Sequence, residues 1–98
     1  MIVEIQVLPF PPGTDEVRYA HVDAAIAVIQ SCGLRYEVGP LGTSIEGEPD
    51  DVWPVIRAVH EATLRSGAGA VVSVIKVEQA RERAQQATID SLTGKFRS

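Results

Sequence analysis

The chain has 98 residues, enough for one hydrophobic core but not for two. Hydrophobic residues make up 45% and aromatics only 5%, which argues against global disorder and for an aliphatic core of Val, Ile, Leu and Ala. The nine Lys and Arg are scattered and outnumbered by thirteen Asp and Glu, a net charge of -4 that offers no basic stripe to a nucleic acid.

Ile2 to Leu8 alternates, with Val3, Ile5 and Val7 on one side and Glu4 and Gln6 on the other. This is the period of a half-buried strand. Pro9-Phe10-Pro11-Pro12-Gly13 then makes a loop. A helix is predicted over 15–32, capped by Thr14, with Val17, His21, Val22, Ala25, Ile26, Val28 and Ile29 on its apolar arc and Gly33 as its stop. Residues 34–38 alternate again, Gly39-Pro40-Leu41-Gly42 is a turn, and 43–47 is a short third strand. Two strands so close in sequence predict an antiparallel hairpin.

Glu48-Pro49-Asp50 opens a second helix that ends before Gly67. Pro54 fits there only in the first turn, where its missing N–H costs little. Val52, Val55, Ile56, Val59 and Thr63 form its inner face, and Arg57, Glu61 and Arg65 form an outer ladder at i, i+4 spacing. Residues 70–77 are a fourth strand, apolar at both parities, which implies cover on both faces. Residues 78–98 read as a third helix, its stripe the small residues Ala80, Ala84, Ala87 and Ser91, with a frayed tail over 93–98.

The order β-α-β-β-α-β-α, in two halves of the same plan, specifies an α+β fold. It is a ferredoxin-like βαββαβ sandwich, a four-stranded antiparallel sheet with two helices on one face, plus the C-terminal helix. The other face is left open. By parity it carries Glu4, Gln6, Arg35, Glu37, Ser44 and Glu46. In a monomer such a face is simply solvated. In an oligomer, a carboxylate-rich face suits a small cationic or multiply hydrogen-bonding ligand.

No catalytic constellation emerges, so the expectation is a protein that is not an enzyme. His21 lies in the apolar arc of the first helix, as a packed core histidine would, and His60 falls on the flank of the second as a surface residue. Two histidines and one cysteine on separate elements give no metal-ligand spacing. The Gly39–Thr43 run lacks the Lys-Ser/Thr of a phosphate loop and leads into a strand, so it is either a plain hairpin turn or a loop that lets a ligand approach backbone groups. With Cys32 alone no intrachain disulfide can form, and Met1-Ile2-Val3-Glu4 is unlike a signal peptide. A reducing, cytoplasmic setting is therefore expected. No apolar run nears the roughly 20 residues of a membrane span.

The run Tyr36-Glu37-Val38-Gly39-Pro40-Leu41-Gly42-Thr43-Ser44-Ile45-Glu46-Gly47 resembles the central segment of the thiamine-binding protein family, which includes the YkoF-like proteins. Val3 to Pro9 looks like that family's first strand and Ile75-Lys76-Val77 like its last, so the resemblance covers residues 1 to about 92. It implies a ferredoxin-like fold, self-association into homodimers and homotetramers, and binding of thiamine or its hydroxymethylpyrimidine part, with no catalysis associated with the fold; no further cofactor and no metal are expected. The positions it points to as ligand-binding are Gln6, Pro9, Tyr36, Glu37, Thr43, Ser44 and Glu46. A carboxylate and a hydroxyl can pair with an aminopyrimidine, Glu37 or Glu46 can face a thiazolium cation, and Tyr36 or Trp53 can stack on either ring. Two other classes stay open: an interaction module without a small ligand, and a small enzyme using His21.

Overall fold

A computed structural model describes residues 1–97. Strand β1 (Ile2–Phe10), helix α1 (Ala20–Gln30), strands β2 (Arg35–Val38) and β3 (Thr43–Glu46), helix α2 (Pro49–Arg65) and strand β4 (Ala70–Glu78) follow in turn. The sheet order is β2-β3-β1-β4, with every neighbouring pair antiparallel. This is the ferredoxin-like arrangement expected from the two βαβ halves.

Register decides which side chains share a face. Val3 pairs with Ile45 and Val77, Ile5 with Thr43 and Ile75, and Tyr36 with Ile45. These positions face the helical side of the sheet, where the edge residues Ile75 and Val77 stay exposed. Val3, Ile5 and Ile45 are sealed there against Ala25 and Ile29 of α1 and Val52, Ile56 and Val59 of α2. Each such aliphatic side chain stabilises the fold by about 1.5–3 kcal/mol through its removal from water. The opposite parity puts Glu4, Gln6, Arg35, Glu37, Ser44 and Glu46 on the other face, as expected.

Polar ties lock the helical layer. His21, buried at 4% exposure, holds Nδ1 at 2.7 Å from Ser66 Oγ and so joins the first turn of α1 to the end of α2. Buried Thr63 donates its hydroxyl to the His60 carbonyl at 2.8 Å. On the outer side of α2, Arg57 and Arg65 both bond Glu61, at 2.6 and 3.0 Å. Gly33 and Gly67 follow the two helices with φ of 80° and 121°, the conformation a helix stop needs.

Several expectations are corrected. Helix α1 starts at Ala20 rather than Asp15. Thr14 caps a tight turn instead, its Oγ1 accepting from Val17 N at 3.0 Å, and Val17 is exposed outside the helix. Pro54 lies in the second turn of α2, where its missing N–H leaves the Asp50 carbonyl without its helical partner. Both residues are exposed, so water replaces that bond. His60 is half-buried rather than a surface residue, with Nδ1 at 2.5 Å from Ser73 Oγ of β4.

The largest corrections concern the end of the chain. Strand β4 is not covered on both sides: it is an edge strand, and Val72, Val74, Ile75 and Val77 are all exposed. No long helix follows it. An extended stretch and one 3-10 turn (Arg83–Gln85) lead to a short helix α3 (Ile89–Thr93) and a second 3-10 turn (Gly94–Phe96). The small-residue stripe buries too little to hold a helix of that length. Gln86 also breaks its continuity, because its side chain accepts from Ala80 N and donates to Glu78. Thr88 and Ser91 then cap α3 reciprocally. Of the tail expected to fray, Arg97 is tied to the sheet; Ser98 lies outside the described residues.

Candidate functional site

Strand β1 outruns β3. Its pairing with β3 stops at Ile5–Thr43, whereas its pairing with β4 runs on to Phe10. Beyond Ile5 one edge of β1 therefore has no strand partner, and alternate residues there turn main-chain N–H and C=O groups toward open space. This is also why Pro9 is tolerated inside the strand. Helix α1 roofs that space and the β2–β3 turn walls it.

The result is a cavity of about 460 Å³, within the usual range for small-molecule sites. Ile5, Val7, Val22 and Ile26 supply apolar walls, and Pro40 and Leu41 supply the turn side. Thr43, only 4% exposed, borders the cavity from the end of β3. Tyr19 and Asp23, both exposed, stand at the α1 side. The turn is closed by Gly39 N donating to Gly42 O at 2.9 Å. Gly42 sits so close to β1 that a Cβ there would lie 3.3 Å from the Ile5 carbonyl oxygen and from Glu4 Cγ, so a larger residue would push the wall away.

The other face is arranged differently. Residues Ile89–Arg97 lie as a strap across β2 and β3 on the side away from the helices. Ile89, 4% exposed, donates its N–H to Glu46 Oε1 at 2.5 Å. Asp90 accepts from Arg35 at 2.9 Å and from Arg97 at 2.6 Å, and Arg97 also reaches Glu37 at 2.7 Å. Hydrogen bonds from Arg35 and then Arg97 hold the Asp90 carboxyl below its ordinary range. Hydrogen bonding to Glu37, then to Asp90, raises the Arg97 guanidinium.

The seven residues expected at one site are thus dispersed. Gln6 and Thr43 line the cavity. Tyr36 is half-buried on the helix side, against the core. Pro9 is buried near the far end of β1. Glu37, Ser44 and Glu46 occupy the opposite face, where the strap engages both carboxylates. Trp53 is exposed on α2 and does not line the cavity. Sequence reasoning missed Tyr19 and Asp23; it offered the Gly39–Thr43 turn as a loop near a ligand without naming Pro40 or Leu41 as wall residues. Asp23 falls opposite the core arc of α1, where an acid reads as solvated, and only the tertiary placement of the turn gives it a neighbour.

A larger cavity of about 780 Å³ lies toward the other end of the strands, between Met1, the start of α2 and the stretch after β4. Its walls mix Glu48, Asp50, Arg81 and Arg83, with Arg83 and Glu48 paired at 3.0 Å. Its lining carries both signs of charge, with Arg83 already paired to Glu48, so it shows no preference for one charge. Among the described residues no group of three or more His, Cys, Asp or Glu could hold a metal ion, and no helix is long and apolar enough to cross a membrane.

Fold and cavity together define a ferredoxin-like domain with a small-molecule-sized pocket between its first helix and its central hairpin. The profile of the thiamine-binding protein family matches residues 3–95, and the chain belongs to that family. A UPF0045 protein from Clostridium perfringens is 35% identical over 97% of this chain and 95% of its own length. Among solved structures, a domain of unknown function from Bacillus cereus superposes with a TM-score of 0.84 at 34% identity, over 98% of this chain and 88% of that one. A Thermotoga maritima protein, provisionally assigned to thiamine biosynthesis or salvage, superposes with a TM-score of 0.74 at 26% identity over 99% and 100%.

Proposed function

We propose that the protein binds thiamine, or the hydroxymethylpyrimidine part of it, in the cavity between α1 and the β2–β3 turn, and does so without catalysis. The cavity carries this reading. Its volume suits a molecule of two small rings, and its walls are mainly apolar. The Thr43 hydroxyl and the unpaired edge of β1 can meet the ring nitrogens and amino group of a pyrimidine. Asp23 at the rim can face the thiazolium cation, which a neutral pyrimidine lacks. The family match and the Thermotoga maritima neighbour point the same way.

The reading as a non-catalytic binder is supported by the placement of His21. Its ring is buried and engaged with Ser66, a bond between two helices rather than one aimed into the cavity. We also propose a homodimer, and pairs of dimers, located in the cytoplasm. The exposed β4 edge, with Val72 and Val74 on one face and Ile75 and Val77 on the other, is the surface such an assembly would cover.

Calorimetry with thiamine and with hydroxymethylpyrimidine tests the function. Binding of either, abolished or sharply weakened by Thr43→Val, is the expected result. An absence of heat and of any thermal shift with both at about millimolar concentration, the weak end of useful affinity, would reject it.

A further inference from the structure

The β2–β3 hairpin is held from two sides by two different parts of the chain. Its turn forms one wall of the cavity. Its strands, on the opposite face, are gripped by the strap. Strand β2 has only four residues and is an edge strand bonded to β3 alone. Both of its open-face side chains are engaged by the strap: Arg35 by Asp90 and Glu37 by Arg97. Glu46 of β3 takes the Ile89 N–H. Glu37 is two residues from Gly39, whose N–H closes the turn, and its neighbour Val38 pairs with Thr43 of the cavity.

A short edge strand with little apolar cover is a low-stability element, and its position follows whatever grips it. We infer that the C-terminal strap fixes the β2–β3 hairpin in the position that forms the cavity wall, so that strap docking and ligand binding favour one another. Arg97 is the positioning residue. Its planar fork spans Glu37 of the sheet and Asp90 of the strap at once, closing the strap onto β2. The clamp consists of exposed ion pairs, so it loosens as salt rises. Linkage then requires reciprocity: a docked strap raises affinity, and bound ligand protects the strap. The second half of the inference rests on the cavity being the ligand site; the first half does not.

The test uses the full chain and two readouts. Amide hydrogen exchange is followed in the ligand-free protein, and thiamine binding is measured by calorimetry. Arg97→Ala is expected to speed exchange at Gly39 while leaving α2 unchanged, and to weaken thiamine by about fivefold or more, the lower end of usual coupling. Arg97→Lys, which keeps the charge but not the fork, should fall between. Raising salt to about 0.5 M should weaken thiamine more in the wild type than in Arg97→Ala. Bound thiamine should slow exchange at Ile89 and Ser91.

Unchanged exchange at Gly39 in Arg97→Ala overturns the inference, whether or not thiamine binds. Faster exchange spread equally through α2 overturns it too, because that is loss of global stability. Faster exchange at Gly39 with unaltered thiamine affinity overturns the coupling. A wild type that binds no thiamine rejects the functional reading alone, and exchange at Gly39 then decides the role of the strap.

Discussion

The face of the sheet away from the helices has two halves built on opposite terms. Over β2 and β3 it is polar and occupied: Arg35, Glu37 and Glu46 all bond the strap, and Ile89 is buried there. Over β1 and β4 it carries one ion pair, Glu4 with Lys76 at 3.7 Å, and beyond that pair its far end is apolar and bare. Leu8, Phe10, Val72 and Val74 are exposed, Phe10 at 58%. The strap lies where charged side chains specify its register, and the other half keeps its apolar side chains exposed. Charge selects an intramolecular partner here, and the apolar half is the surface the proposed dimer would use.

Five measurements break or sharpen that contrast. Ile45→Ala should have the largest effect, because β3 carries both the core contact and Glu46, which accepts from the strap's Ile89 N–H. A fully buried Ile cut to Ala costs about 2–5 kcal/mol, visible as a lower midpoint in urea, and both halves should weaken together. Replacing Val74 with Lys should leave the fold within about 0.5 kcal/mol, as exposed substitutions do. It should nonetheless dissociate any dimer built on the bare half, measured by sedimentation; an oligomer that survives it places the interface elsewhere. Asp23→Asn should weaken thiamine about tenfold, the scale of one lost charge-assisted contact, and spare hydroxymethylpyrimidine. Equal losses for both ligands would remove Asp23 from cation recognition.

Ile89→Ala should act locally, undocking the strap and speeding exchange at Ser91 with little change in the global midpoint. A midpoint drop as large as that for Ile45→Ala would make the strap part of the core. Acid should produce the smallest effect. The Asp90 carboxyl sits below its ordinary value of 3.8, through Arg35 first and Arg97 next. The stabilisation it gives the strap is therefore complete above 3.8 and is lost as pH falls through its lowered value. Proton titration should release the strap in that acid range while the core strands stay protected; release already near neutral pH would assign the clamp to another group.

Much of the fold was legible because its signals are local. Alternation in Val3-Glu4-Ile5-Gln6-Val7 and in Arg35-Tyr36-Glu37-Val38 fixed the faces, and Gly33 and Gly67 fixed where the helices end. The site was less legible. Thr43 and Gln6 carry a family pattern and do line the cavity, but Glu37 and Glu46 carry the same pattern and face away from it. Parity placed these carboxylates on the open face correctly; nothing local tells a carboxylate awaiting a ligand from one already held by Arg97, 60 residues along the chain.

The sequence by itself determined the order of elements, the aliphatic core and the division of the sheet into a covered and an open face. Those follow from periods of 2 and 3.6 residues, which any window of the chain displays. Only the tertiary structure decided that β1 outruns β3 to leave a cavity, that apolar β4 is a bare edge, and that the last residues form a strap rather than a helix. Each depends on where an element stops relative to a partner far along the chain. That is set by register and by which long-range contact wins, and no local pattern encodes it.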